Sequence, residues 1–419
     1  MDNKRIAQAA KTASSEVAVA DTEVKNTVLL TMADKLAKNK DKIFKSNTAD
    51  MKKAQEKGLG KNLVDRLKFG ESKIESRIAS LKKIAALPDP VGSEFWNREI
   101  VQGMKVKRVR VPLGVIMMIY EARPHVSVNA GAFCLKSGNA CILKGGSESK
   151  ECNSLLGRLW GESLKENGMN QDAIQVISGS HDDINELLRQ NDCIDLVIPR
   201  GGKKLIKSVS ENSKIPVIKH FTGECHVYID DGADIKKAKD IIIDSKCLMP
   251  EVCNAMEVTL VSSGRKDDIP EIVDTFKKCG VRVKGDETVR SLCSDVEPAS
   301  DSDWTDEHLD MVVTLGMVDG VTGAIEHINR YGSHHTDSIV TEDSYAASEF
   351  KKKVDSGVVL INASTMFCDG DSLGMGAEIG ISTDKIHARG PMGLEELTTY
   401  KFVIEGDGTT MSNPEDFIK

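Results

Sequence analysis

From Val115 onward, short apolar runs alternate with segments of helical length, and that rhythm admits few architectures. Val115-Ile-Met-Met-Ile119 reads as a buried strand, followed by a helix over 125–137, a strand over 140–143 and a helix over 147–165. Strands over 174–177 and 195–198 flank a helix over 182–189. A second series begins near Ile235, with strands over 257–261, 311–315, 337–340 and 358–361 and helices over 269–278, 321–330 and 345–354. Fully apolar strands alternating with helices imply a parallel, doubly wound α/β sheet covered on both faces. Residues 1–90 read as helical, with Val28, Leu29, Leu30, Met32, Leu36 and Ile43 near helical spacing, until Pro88, Pro90 and Gly92 break the pattern. Residues 99–112 alternate apolar and polar, as an extended segment does, and 363–393 has the Gly-rich, polar signature of a loop. A last strand is expected over 397–404.

Composition narrows the function classes. The 419 residues suffice for two or three domains, and 40% apolar with 29% charged residues fits a chain that buries a substantial core. A net charge of −8 and only 4% aromatic residues argue against a nucleic-acid partner. No run approaches the roughly 18 apolar residues of a membrane span, and the N-terminus lacks the apolar core of a secretion signal. Ten cysteines without such a signal point to a reducing cytoplasm. Neither Cys-x-x-Cys nor His-Glu-x-x-His spacing occurs, so no metal site is expected.

The segment Pro250-Glu-Val-Cys253-Asn-Ala-Met-Glu257 bears the chemistry. Pro250 should end the preceding helix and leave Cys253 in a loop just before a buried strand, where a substrate reaches the thiol. On spacing alone an inert core cysteine is the plainer reading, because nine other cysteines compete for the role.

The surrounding words shift that balance. Val115–Pro124, Ile142-Leu-Lys144-Gly-Gly-Ser147 and Cys253 follow in the order seen in aldehyde dehydrogenases, and, more narrowly, Tyr120-Glu-Ala-Arg-Pro124, Val252-Cys-Asn-Ala-Met256, Ile361-Asn-Ala-Ser-Thr365, Gly376-Ala-Glu-Ile-Gly-Ile-Ser382 and His387-Ala-Arg-Gly-Pro-Met-Gly-Leu394 resemble the γ-glutamyl phosphate reductase family of that superfamily. The resemblance spans about residues 10–405. It implies NADPH-dependent reduction of L-glutamyl 5-phosphate to L-glutamate 5-semialdehyde, with phosphate release, in proline biosynthesis. Cys253 would carry the acyl group as a thioester. Glutamate 5-kinase is the implied source of the substrate.

Departures from the wider superfamily agree with that reaction. The water-activating glutamate of aldehyde-oxidising relatives has no counterpart within Lys219-His220-Phe221-Thr222-Gly223, and their oxyanion-binding asparagine is replaced within 120–124. An enzyme that passes its thioester to hydride has no use for activated water.

No Gly-x-Gly-x-x-Gly follows a strand. By the resemblance, Lys144, Gly145, Gly146 and Ser147 meet the adenosine ribose, and a Lys and a Ser there suit the 2′-phosphate of NADPH/NADP+. Arg200, Gly201 and Gly202 form the turn that approaches the pyrophosphate. An ordinary strand–helix turn is the alternative for each glycine pair. Glu307 stands where relatives hold the nicotinamide ribose, against the alternative of a solvated glutamate in a helix's first turn. Arg123, Ser364, Thr365 and Arg389 are the candidate substrate residues. Met366 replaces an arginine common in this family. His125 reads more readily as a packed helix-start histidine than as a proton carrier, and Glu251 should face solvent.

The expected architecture is therefore aldehyde-dehydrogenase-like. A Rossmann-type NADPH-binding domain comprises 1–98, 112–234 and 363–393, an α/β catalytic domain 235–362, and a small β oligomerisation element 99–111 with 394–419. That element, pairing an exposed edge with a second subunit, implies a homodimer or a larger even homo-oligomer. Rival readings are a phosphate-independent semialdehyde dehydrogenase or CoA-acylating dehydrogenase on the same fold, a thiol hydrolase, and a non-catalytic binding or assembly protein.

Overall fold

The computed structural model describes residues 2–100, 103–219 and 222–412. The chain forms two units, one of 1–201, 208–217 and 393–419, the other of 202–207 and 218–392.

The core of the first unit is a four-stranded parallel sheet, ordered Ile174–Ile177, Ala140–Lys144, Val115–Tyr120, Leu196–Arg200. Every residue of Val115–Tyr120 and of Ala140–Lys144 is buried, because helices cover both faces. The strand order reverses beside Val115–Tyr120, and ligands of doubly wound sheets bind at the carboxyl ends of the strands flanking such a reversal.

Five helices precede this sheet, from Asn3–Val17 to Glu71–Ala86. In the last of them Ile74, Ile78, Leu81 and Ile84 are buried, three or four residues apart, giving one apolar stripe. An ion pair joins the buried Lys25 to Asp89, and Lys136, which donates to Asn26 Oδ1 (2.6 Å) and to the Ala85 carbonyl (3.0 Å), ties these helices to Val126–Lys136. Asp50 accepts the N–H groups of Glu151 and Cys152 at the start of Lys150–Glu166, so it partners donors that the helix leaves unmet.

A separate antiparallel sheet orders Glu94–Glu99, Lys105–Pro112 and Thr398–Glu405. Lys105–Pro112 and Thr398–Glu405 fall largely in the stretches expected to form the assembly element, whereas Glu94–Glu99 falls in the stretch assigned to the cofactor domain; residues 101, 102 and 413–419 lie outside the described residues. Thr398–Glu405 is an edge strand on which Tyr400, Phe402 and Ile404 are all exposed.

The second unit holds a seven-stranded parallel sheet, ordered Glu297–Pro298, Arg282–Gly285, Val312–Val318, Met256–Ser262, Cys225–Ile229, Thr336–Val340, Val358–Ile361. Four of these strands are the expected ones. Cys225–Ile229 is an additional one, near the middle of the sheet, and its polar His226 is buried with Nδ1 2.9 Å from Asp337 Oδ1 on the neighbouring strand.

The two units divide the chain differently from the expected boundaries. Residues 363–392 group with the second unit, whereas the sequence reading attaches 363–393 to the cofactor domain; 218–234 move likewise. The reason is local bonding: Lys219 pairs with Asp384 (3.2 Å), Arg389 with Asp355 (2.7 Å), and the Thr365 N–H reaches Ser245 Oγ (3.1 Å). The expected loop also contains a short hairpin, Gly380–Ser382 against Gly390–Met392. Among the described residues, no helix is long and apolar enough to cross a membrane, and no group of three or more His, Cys, Asp or Glu could hold a metal ion.

Candidate active site

The helix Ile235–Cys247 ends at Leu248, Pro250 follows, and a tight turn carries the chain into Met256–Ser262. Cys253 sits in this turn, half-buried, as the proline predicts. Glu251 beside it is exposed. All ten cysteines are thiols, and those at 134, 141, 152, 193, 225 and 368 are buried. Burial raises the pKa of the Cys152 and Cys225 thiols and pushes that of Cys368 up to about 12, which leaves them inert.

The turn is braced from three sides. Cys225 Sγ donates to the Cys253 carbonyl (3.3 Å) from below. Asn254 Nδ2 donates to the carbonyls of Thr365 (3.4 Å) and Met366 (3.3 Å). Gly223 packs so closely that a Cβ there would overlap the Cys253 carbonyl oxygen. The Gly223 N–H in turn donates to Glu307 Oε1 (2.8 Å). Glu307 is half-buried, lies outside any helix, and has its pKa raised chiefly by burial, so it is not the solvated first-turn glutamate of the alternative reading. His220 and Phe221, in the stretch lacking the water-activating glutamate, lie outside the described residues.

Two buried groups that sequence reasoning missed pin the next layer. Lys246 Nζ and Glu257 Oε2 form a fully buried pair (2.8 Å), and Glu257 Oε1 accepts the Leu309 N–H (3.2 Å) two residues after Glu307. Burial pushes the Glu257 carboxyl up to about 7, while Lys246 pulls it down. A helical Lys and a strand Glu eleven residues apart carry no local signal of pairing.

The substrate candidates separate. Ser364 and Thr365 are buried and bonded to Ser245, Ser364 through its hydroxyl (3.1 Å) and Thr365 through its N–H (3.1 Å). They hold the wall against which Asn254 leans. The guanidinium of Arg389 is engaged by the Asp355 carboxylate (2.7 Å) and carbonyl (2.8 Å). Lys385, then Arg389, hold the Asp355 carboxyl down at about 2. Arg123 belongs to the first unit, exposed beyond the end of Val115–Tyr120.

The cofactor candidates of the first unit gather at the carboxyl ends of its strands. Lys144 ends Ala140–Lys144 and is buried, with its pKa lowered by that burial. Side chains on Gly145 and Gly146 would overlap Asn153 and Glu148 respectively. Glu148 is turned back, its Oε1 accepting the Ala122 N–H (2.7 Å), and Ser147 is exposed. Arg200 ends Leu196–Arg200 and Gly201 follows it; Gly202 opens the second unit just before the helix Lys203–Asn212.

The sequence and the fold both have counterparts among known proteins. The model of the aldehyde dehydrogenase family matches residues 1–291, and the chain belongs to that family. A γ-glutamyl phosphate reductase of Caldanaerobacter subterraneus subsp. tengcongensis is 46% identical over 406 residues, covering 96% of this chain and 98% of that protein. The crystal structure of the γ-glutamyl phosphate reductase of Thermotoga maritima superposes with a TM-score of 0.96 at 39% identity, covering 98% of this chain and 100% of that one. Within the family, the chain therefore sits with the γ-glutamyl phosphate reductases. An acetylating aldehyde dehydrogenase of Geobacillus thermoglucosidasius shares the fold, with a TM-score of 0.68 at 16% identity and 98% coverage of each chain.

Proposed function

We propose that this chain reduces L-glutamyl 5-phosphate to L-glutamate 5-semialdehyde with NADPH, releasing phosphate, in proline biosynthesis. The observation that carries the reading is Cys253, a half-exposed thiol in a braced turn of a chain whose near-full-length relatives are γ-glutamyl phosphate reductases.

A carboxylate accepts hydride poorly, whereas an acyl phosphate has a good leaving group. The Cys253 thiolate attacks the acyl carbon, the bond from that carbon to the phosphate oxygen breaks, and phosphate departs, leaving a thioester. NADPH, when bound, would supply the hydride that takes the thioester to the aldehyde level. Collapse of the resulting thiohemiacetal then returns the thiolate. Negative charge builds twice on the former carbonyl oxygen, and backbone N–H groups beside Cys253 are the proposed donors to it. The brace at Gly223, Cys225 and Asn254 keeps that backbone from reorganising during reaction.

The turn after Ala140–Lys144 suits a phosphorylated ribose. Lys144 is a cation whose burial costs free energy that an adjoining 2′-phosphate offsets, and Glu148, bonded to Ala122, offers that phosphate no direct repulsion in this rotamer. Gly145 and Gly146, which have no room for a side chain, and Arg200, Gly201 and Gly202 are the proposed cradle for the remainder, with Glu307 at the nicotinamide ribose. Ser364 and Thr365 act on the substrate through the wall they build, and Arg389 through the ion pair with Asp355.

We place the protein in the cytoplasm, fed by glutamate 5-kinase and assembled as a homodimer or larger even oligomer through the edge strand Thr398–Glu405. The reverse reaction tests the function: glutamate semialdehyde should drive NADP+ reduction only when phosphate is present. Equal rates with CoA and no phosphate would overturn it.

A further inference from the structure

The Lys246–Glu257 ion pair brackets the Cys253 turn. Lys246 is the penultimate residue of the helix that leads into the turn, and Glu257 is the second residue of the strand that leaves it. Both side chains are out of water, with Nζ 2.8 Å from Oε2, so the pair closes the base of the turn. A buried ion pair gains little over two well-packed apolar side chains; what it adds is direction.

The same carboxylate reaches a second segment. Glu257 Oε1 accepts the Leu309 N–H (3.2 Å), and the His308 N–H acts on it as well. Residues 307–309 belong to no helix or strand, so no backbone ladder fixes them. Leu309 holds φ at +50°, a left-handed conformation that a leucine keeps only where its surroundings impose it. A charged acceptor aimed at its N–H is one such constraint.

Glu307 is the carboxylate that this segment presents. Its Oε1 accepts the Gly223 N–H (2.8 Å), and its Oε2 has no hydrogen-bond partner among the described residues. Burial, then the neighbouring Glu224 carboxylate, raise the pKa of Glu307, and the Gly223 N–H opposes them. A carboxylate crowded by a like charge stays in place only where its backbone is held. Gly223 in turn leans on the Cys253 carbonyl, with no room for a Cβ between them. Glu307 is therefore tied to the Cys253 turn by two routes, one through Gly223 and one through Glu257.

We propose that Glu257, held by Lys246, is a positioning residue that fixes Glu307 relative to the Cys253 turn, so that the free Oε2 of Glu307 meets the nicotinamide ribose of the cofactor. This rests on the cofactor reading proposed above, and every residue it invokes lies in the second unit.

Lys246→Met combined with Glu257→Leu separates positioning from stability, because it removes the carboxylate and refills the space. Its urea midpoint should return toward that of the wild type. Its kcat for phosphate-dependent NADP+ reduction should fall by about tenfold or more, and its Kd for NADPH, read by fluorescence without turnover, should rise by about threefold or more. A cycle with Glu307→Gln gives the decisive reading. In that background the same pair of substitutions should change neither quantity by more than about twofold, because the residue they position no longer acts. Wild-type kcat and Kd in the double variant, or losses that multiply with those of Glu307→Gln, overturn the assignment and leave the ion pair a brace for stability alone. Glu257→Gln keeps the shape and loses the charge; it should lower kcat by about threefold or more, and it supplies the same cycle if the double variant fails to fold. A wild-type chain that binds NADPH without phosphate-dependent turnover overturns the reaction and leaves the Kd measurements to decide this assignment. A wild-type chain that binds no NADPH, or a Glu307→Gln variant indistinguishable from it in both readouts, overturns the cofactor reading and this assignment together.

Discussion

At the residue scale, two positions decide whether the site works. Cys253 is the proposed nucleophile, and Cys253→Ser should reduce phosphate-dependent NADP+ reduction by at least about a thousandfold while NADPH binding, read by fluorescence, is retained. Gly223 supplies room. A methyl group there would displace the Cys253 carbonyl, so Gly223→Ala should lower kcat by about tenfold or more and cost about 1–3 kcal/mol in urea unfolding. A Gly223→Ala enzyme with wild-type kcat would show that the brace is dispensable. The motif around Cys253 was readable because it is contiguous. Its support from Cys225, Ser245, Asn254 and Thr365 was not, since those contacts span from 28 to 120 residues of sequence.

At the element scale, buried charge governs how the catalytic unit holds together. Lys246 leaves a helix to meet Glu257 on a strand, with both side chains out of water. Lys246→Met should destabilise the protein by about 3 kcal/mol, because a buried carboxyl loses its partner. Lys246→Met combined with Glu257→Leu should recover much of that loss, and urea denaturation of both variants measures the difference. His308 gives a pH signature. Burial pushes it down to about 4, with Nε2 2.9 Å from Thr314 Oγ1, so the folded chain binds fewer protons than the unfolded one between about 6.5 and 4. Stability from this group is complete above about 6.5 and lost as pH falls toward about 4, amounting to roughly 2 kcal/mol at about pH 5. His308→Gln should flatten the decline in unfolding free energy between pH 7 and pH 5. The apolar strands of this unit were legible from their runs of Val, Ile and Leu, but Cys225–Ile229 was not, because the partner of its buried His226 Nδ1 is Asp337 on another strand.

At the scale of the whole molecule, the edge strand Thr398–Glu405 bears on assembly. Its exposed Phe402 and Ile404 lie on a strand whose outer edge has no strand partner among the described residues, and the proposed second copy of the chain would cover both. Ile404→Lys should shift the protein toward monomer in sedimentation velocity, with the fold unchanged by circular dichroism. An unaltered sedimentation profile would show that the subunits meet elsewhere. The sequence by itself determined the α/β class, the order of most strands along the chain, and the placing of Cys253 in a turn ahead of a buried strand, because each is written in contiguous residues whose spacing or wording is local. Only the tertiary structure decided that 363–392 join the second unit, that Arg389 is engaged by Asp355, and that Lys246 meets Glu257. Those outcomes depend on which distant groups burial forces together, and the energy of pairing a charge out of water has no expression in the order of residues along a chain.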